Sequence, residues 1–230
     1  YGGNNNDTLD GGAGADQLFG ESGDDLFYAS LGNDTIDGGV GGDDTINFSN
    51  LDDSANTFNL TNPAAATVTK GEDSSTDNFT EIENIIADAG ADMFTLDVDD
   101  ISAFSSIDGA GGNDTVSFNS TSINLDTFGG DGFNGDDLAA VFTDIEEIDF
   151  TNITATAGDF ELTGQQLKDL LGGDNSTALT INIDNDGSIG GGGFDFTNGA
   201  GLTGTGGAGG VGTYTYNDGI DTYTVNVIEN

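Results

Sequence analysis

The chain has 230 residues, of which 42 are acidic and 2 are basic, so its formal net charge at neutral pH is −40. Charge of this size opposes compaction unless cations neutralise it, and it excludes nucleic acid and anionic membrane surfaces as partners. The sequence contains no cysteine and no histidine, which excludes disulfides, thiolate sites and the common nucleophile and base pairs of enzymes.

The first 48 residues repeat a nine-residue pattern five times. Each unit has Gly or Asn at place four, Asp at place six and an apolar residue at place eight. The units are GGNNNDTLD (2–10), GGAGADQLF (11–19), GESGDDLFY (20–28), ASLGNDTID (29–37) and, after an extra glycine, GVGGDDTIN (39–47).

This pattern predicts a tight turn followed by a short strand in every unit. Glycine and asparagine tolerate positive φ, so the chain can turn with its carbonyls pointing inward. The carboxylate at place six adds to a ring of carbonyl oxygens, which is the ligand set that calcium prefers. The apolar residue at place eight suits a brief strand over a thin core. Two units therefore form one 18-residue coil of a flattened right-handed solenoid.

The spacing of the aspartates and of the apolar residues supports this coil. Asp7, Asp25 and Asp43 are eighteen residues apart on one edge, and Asp16 and Asp34 are eighteen apart on the other. The extra glycine leaves Asp43 and Asp44 competing for the third position on the first edge. The predicted core stacks Leu9, Phe27 and Ile46 on one sheet and Leu18 and Ile36 on the other. Glycine-rich disorder would not keep these apolar residues in phase.

The five units resemble the glycine-rich calcium nonapeptides of the repeats-in-toxin (RTX) family. The resemblance implies a parallel β-roll with calcium ions between successive turns on each edge. It also implies an extracellular product that a type I machine exports without a cleaved amino-terminal signal. The predicted calcium ligands are the aspartate carboxylates and the Gly and Asn carbonyls of these residues: Gly2, Asn5, Asp7, Gly11, Gly14, Asp16, Gly20, Gly23, Asp25, Gly32, Asp34, Gly41, Asp43 or Asp44, Gly112 and Asp114.

Residues 49–133 are predicted to continue the solenoid after an interruption. Residues 56–69 alternate apolar and polar side chains and then break at Pro63, the only proline. A polar hairpin and then an IEN segment (82–84) follow each other here. This order resembles the one in RTX proteins, where such segments lead the chain back into the β-roll. Residues 89–96 are a degenerate (worn) repeat unit with Asp92 at place six, and residues 109–117 repeat the full pattern.

Residues 134–230 are predicted to form a separate β-rich module. The patterns predict one or two strands in 141–150, a helix over 163–171, a strand over 178–184, glycine-rich loops over 186–212 and a hairpin over 212–228. Thr163 and Gln166 would cap the helix and Gly172 would end it. Residues 143–230 resemble the carboxy-terminal module of large type I exported proteins. We therefore expect an all-β chain with domains 1–133 and 134–230.

The expected function is that of a non-catalytic, calcium-binding extracellular module. Tyr1 opens directly on a repeat, so the chain is expected to be the carboxy-terminal part of a longer protein or a processed fragment. Two roles stay open: a surface-layer, filament or adhesin protein that assembles through calcium with copies of itself or other cell-surface components, and the secretion tail of a hydrolase or toxin. The acids outside the repeats also suit a simple solvated surface.

Overall fold

The structure, a computed structural model, describes residues 1–119, 123–124, 135–151, 155–157, 164–173, 175–183, 202–204 and 211–229. It divides the chain into two compact units, Tyr1–Asp114 and Thr115–Asn230. The predicted domain boundary after residue 133 lies outside the described residues. Neither α-helix in the described part of the chain has the length and hydropathy that a membrane crossing needs.

The first unit is a coil of short strands that alternate between two sheets. In chain order its strands are β1 (Gly3–Asn4), β2 (Thr8–Asp10), β3 (Gln17–Ser22), β4 (Leu26–Tyr28), β5 (Thr35–Gly39), β6 (Thr45–Asn47), β7 (Thr57–Asn59), β8 (Ala66–Thr69), β9 (Thr76–Thr80), β10 (Asn84–Ile86), β11 (Met93–Leu96) and β12 (Ser106–Asp108). Short 3-10 helices cover Pro63–Ala65 and Val98–Ala103.

One sheet of this unit is parallel throughout and carries the central core. Its strand order is β12-β10-β6-β4-β2. Leu9 lies opposite Phe27 and Phe27 opposite Ile46, steps of 18 and 19 residues, so the extra glycine is absorbed within one coil. The column continues through Ile85 and Ile107. Full burial of each of these side chains contributes about 1.5–3 kcal/mol to folding.

The other sheet interrupts its parallel order with an antiparallel excursion. Within this unit its order is β1-β3-β5-β9-β8-β7-β11. Strands β7, β8 and β9 pair antiparallel, whereas β9 pairs parallel with β5 and β11 pairs parallel with β7. Leu18 lies opposite Ile36, as the nine-residue phase predicts. The predicted parallel β-roll, its two core columns and the return of the IEN segment into the coil are therefore confirmed.

The second unit contains more strands and two short helices. They are β13 (Thr115–Phe118), β14 (Ile123–Asn124), α1 (Gly135–Val141), β15 (Phe142–Thr143), β16 (Glu147–Asp149), β17 (Ala155–Ala157), α2 (Gly164–Leu170), β18 (Ala178–Ile183), β19 (Leu202–Gly204), β20 (Gly212–Asn217) and β21 (Thr222–Glu229). Strands β13, β16, β18 and β21 pair parallel, and β21, β20 and β19 pair antiparallel.

Most predicted elements of the second unit are present within the described residues, but strand β19 lies inside the range 186–212 that was predicted as glycine-rich loops, and one helix was not predicted. Helix α2 and the turn after it bury Leu167, Leu170 and Leu171, and Gly172 in that turn has a φ of +56°, as expected of a glycine that ends a helix. Strand β18 and the β20–β21 hairpin also match. Helix α1 was not predicted, and Val141 belongs to it instead of to a strand. Its seven residues are too few to display a helical period before Phe142 begins β15.

Candidate metal sites

The place-six aspartates of the first edge form a hydrogen-bonded ladder. Each lies immediately before a strand of the fully parallel sheet. The backbone N–H of Asp7 donates to Oδ1 of Asp25, and the N–H of Asp25 donates to Oδ1 of Asp44, both at 2.7 Å. The N–H of Asp44 in turn donates to Oε2 of Glu83 at 2.9 Å. One carboxylate oxygen of Asp25, of Asp44 and of Glu83 thus holds the preceding coil in register.

A matching ladder lies on the opposite edge. The N–H of Asp16 donates to Oδ1 of Asp34 and the N–H of Asp34 donates to Oδ1 of Asp77, each at 2.9 Å.

Beyond the antiparallel excursion the same arrangement resumes. The backbone N–H of Asn56 donates to Oδ1 of Asp92 at 2.6 Å. The N–H of Asp92 donates to Oδ1 of Asp114 at 2.7 Å. The worn unit around Asp92 is therefore the neighbour on which the returning unit of Asp114 stacks.

The second carboxylate oxygen is the feature that points to a metal. Oδ2 of Asp7, Asp25 and Asp92 is buried and has no hydrogen-bond partner among the described residues. A buried ionised oxygen without a partner is costly, so such atoms indicate an ion or a role outside the protein's own hydrogen bonds.

The place-one glycines bring a carbonyl oxygen to the same spot. A Cβ on Gly20 would stand 2.2 Å from Oδ2 of Asp25 and 2.3 Å from the carbonyl oxygen of Gly38. A Cβ on Gly2 would stand 3.0 Å from Oδ2 of Asp7 and 2.8 Å from the carbonyl oxygen of Gly20. A carboxylate and a carbonyl therefore converge beside each glycine. This oxygen-only donor set fits calcium and leaves no room for a side chain.

The place-four residues let successive turns touch through their backbones. Asn5, Gly14, Gly23, Gly32 and Gly112 all have positive φ, from +77° to +141°. A Cβ on Gly32 would stand 1.9 Å from the carbonyl oxygen of Gly14, which explains why glycine is needed there.

Gly11 and Gly42 make the same two kinds of contact in their own units. Gly11 packs against Asp16, since a Cβ on it would lie 3.0 Å from Oδ2. In the fifth unit the place-four contact belongs to Gly42, whose Cβ would stand 2.2 Å from the carbonyl oxygen of Gly23. The predicted ligand Gly41 has open space at its Cβ, so the contact between turns in this unit is made by Gly42.

A family model for the RTX calcium-binding nonapeptide repeat matches residues 1–36 in four copies. The amino-terminal coils are RTX calcium-binding repeats. The match ends at Ile36, one residue before the end of the fourth nonapeptide.

The geometry separates the two aspartates of the fifth nine-residue unit. Asp44 is buried and joins the ladder, whereas Asp43 is exposed. Burial raises the pKa of Asp44 to about 6, and burial likewise raises the pKa of Asp92 to about 6. A divalent cation beside these carboxylates would remove this cost of ionisation.

Asp77, Glu83 and Asn56 belong to the hydrogen-bonded ladders and were not predicted as members. Each stands two residues before a buried apolar residue of a strand: Phe79, Ile85 and Phe58 respectively. The same offset separates Asp25 from Phe27. A search for an acidic or amide residue two places before a strand apolar residue would have found all three. Within the described residues, no three His, Cys, Asp or Glu side chains form a ready metal cluster, so backbone carbonyls must supply part of any shell.

Two further comparisons add little to the RTX match. No curated protein sequence matches the chain. Among solved structures, the extracellular lipase LipA from Serratia marcescens aligns over 97% of this chain and 36% of its own, with 13% identity and a TM-score of 0.30. The chain thus spans about a third of that protein's length, and a likeness at this TM-score carries no argument about function.

Proposed function

We propose that this chain is a non-catalytic structural module that folds outside the cell when calcium fills its repeat turns. The observation that carries the proposal is the pair of buried Oδ2 atoms of Asp7 and Asp25, each beside a backbone carbonyl and without a hydrogen-bond partner among the described residues. The absence of histidine and cysteine from the sequence supports a structural role over a catalytic one.

Calcium would act here as the switch between an exportable chain and a folded one. At the low calcium concentration of the cytoplasm, a net charge of −40 keeps the chain expanded and suited to export by a type I machine. At roughly millimolar calcium outside the cell, binding free energy becomes folding free energy. The place-six carboxylates would bind the ions, and the Gly and Asn carbonyls would complete the shells.

Equilibrium dialysis of the full chain against calcium chloride tests this proposal. We expect several calcium ions per chain at about millimolar free calcium, with weak competition from magnesium, which demands octahedral geometry at shorter distances. A chain that retains no calcium under these conditions would overturn the proposal.

For the biological role we propose assembly at a cell surface, in a layer, filament or adhesin. Many carboxylates stand outside the ladders and are exposed, among them Asp10, Asp24, Asp52, Asp53 and Glu72. Calcium can bridge such groups on neighbouring chains. Light scattering in millimolar calcium should then detect oligomers that chelator disperses, and purely monomeric protein would contradict the assembly role.

The competing role is the export and folding tail of a secreted hydrolase or toxin. It is favoured by the resemblance of residues 143–230 to the carboxy-terminal modules of type I exported proteins. Sequencing the gene on both sides of the stretch that encodes residues 1–230 separates the two roles. A catalytic motif there supports the tail, and further acidic β-rich repeats support the assembly protein.

A further inference from the structure

Lys70, one of the two basic residues, is buried inside the β-roll. Its side chain has 0% exposure, whereas that of Lys168 has 33%. Lys70 directly follows β8, so the antiparallel excursion brings it to the repeat edge. A tight turn holds it there, because the N–H of Lys70 donates to the carbonyl of Ser75 at 2.9 Å and its own carbonyl accepts from the N–H of Ser74 at 2.9 Å.

The ammonium of Lys70 is surrounded by oxygens of the fourth repeat unit and of the following coil. Nζ donates to the carbonyls of Ser30 at 2.5 Å and Gly32 at 2.7 Å. It also contacts both carboxylate oxygens of Asp77, at 2.8 and 2.9 Å, and lies 3.9 Å from Oδ2 of Asp34. Ser30 and Gly32 occupy places two and four of their unit, and Asp34 occupies place six.

This set of atoms is the counterpart of a predicted calcium site. Asp34 and Asp77 are consecutive members of one ladder, as Asp7 and Asp25 are of the other. On the ladder of Asp7 and Asp25, Oδ2 of both residues has no hydrogen-bond partner among the described residues. At Asp34 and Asp77 the corresponding space holds a positive charge from the chain itself.

We propose that the Lys70 ammonium permanently replaces calcium in the loop Ser30–Asp34, so that this repeat binds no metal ion. A divalent ion in the same ring of oxygens would lie within contact distance of an ammonium, and the two charges exclude each other. The excursion β7–β9 would thus supply its own counter-ion where it interrupts the coil. This inference rests on the proposed calcium binding of the other turns.

The test compares calcium stoichiometry in two single variants of the full chain. Lys70→Ala removes the ammonium and opens space, and Lys168→Ala is the matched control in the second unit. Equilibrium dialysis against calcium chloride should give one more bound calcium per chain for Lys70→Ala than for the native protein and Lys168→Ala. Equal numbers in a Lys70→Ala protein that folds in calcium would overturn the proposal.

If Lys70→Ala does not fold, the rates at which Lys70 and Lys168 are acetylated in the native protein provide a second test. In saturating calcium, Lys70 should react at least about tenfold more slowly than Lys168, because it must first leave its ring of oxygens. Comparable rates would place the ammonium outside the loop and refute the inference. A native protein that protects Lys70 but binds no calcium would instead refute the proposed function and leave the position of Lys70 intact.

Discussion

The backbone N–H of Asp7 donates a hydrogen bond to Oδ1 of Asp25 across one full coil, with an N···O distance of 2.7 Å. The other oxygen of each carboxylate is buried and without a hydrogen-bond partner in the described part of the chain. The carboxylate of Asp25 therefore has two separable tasks. Oδ1 joins adjacent coils, and Oδ2 presents charge to the interior of a turn.

Replacing Asp25 with Asn should separate these tasks. The amide oxygen can still accept from the N–H of Asp7, but the negative charge is lost. We expect the calcium concentration at the folding midpoint to rise about tenfold, equivalent to about 1.4 kcal/mol per site. Asp24→Asn is the matched control, because Asp24 is the exposed neighbour in the same unit. Identical midpoints for both variants, measured by circular dichroism, would contradict a ligand role for Asp25.

Lowering the pH should stabilise the calcium-free fold and destabilise the calcium-loaded fold. Burial raises the pKa of Asp44 and of Asp92 from 3.8 to about 6 in the calcium-free fold. Between these values the folded chain binds more protons than the unfolded chain, so its free energy of unfolding falls as pH rises through the window. The calcium-free chain should therefore show more strand signal at about pH 4.5 than at neutral pH.

With calcium present the trend should reverse, because protons then compete with the ion for the same carboxylates. The check is a pair of thermal melts across the window, one in chelator and one in saturating calcium. Strand content that increases with pH in chelator would show that these two buried carboxylates do not determine the pH dependence of the calcium-free fold's stability.

The fifth unit offers a test of backbone stacking with two neighbouring glycines. Gly41 and Gly42 both have positive φ, +78° and +114°, but only Gly42 lies against the carbonyl of Gly23. Gly41→Ala should lower the free energy of unfolding by about 1–2 kcal/mol, because alanine is strained in the left-handed backbone conformation. Gly42→Ala should cost distinctly more, because the new Cβ also collides with a backbone oxygen. Urea unfolding in calcium measures both, and equal losses would argue against direct contact between these turns.

The apolar column should contribute to stability independently of the ions. Phe27 is fully buried between Leu9 and Ile46, so Phe27→Ala should lower the free energy of unfolding in saturating calcium by about 3–5 kcal/mol. Val40→Ala, at a side chain with 78% exposure, should change it by less than about 0.5 kcal/mol. A small loss at Phe27 would mean that ion binding alone holds the coils together.

The nine-residue phase predicted the roll because each unit pairs with a neighbour two units away. Leu9, Phe27 and Ile46 share a column for this reason, and the same arithmetic placed Asp7 and Asp25 on one edge. The β20–β21 hairpin and helix α2 could also be predicted from the sequence, because turn residues and a leucine stripe are local signals.

The remaining features depend on distant pairings that no local pattern displays. Asp44 joins the ladder instead of Asp43 because the pairing of β6 with β4 absorbs the extra glycine in the preceding turn. Glu83 completes that ladder from 39 residues further along the chain. Lys70 reaches Asp77 and the fourth repeat only because β8 folds back between β7 and β9. The strands that carry these residues align only once the whole coil has formed.

The central claim is that calcium between the turns converts a self-repelling chain into a folded one. Far-ultraviolet circular dichroism of the full chain, titrated with calcium chloride from excess chelator at neutral pH, tests it most directly. The account predicts a cooperative gain of strand signal as free calcium approaches the millimolar range, reversed by chelator. Strand signal of equal strength in chelator and in calcium would contradict it.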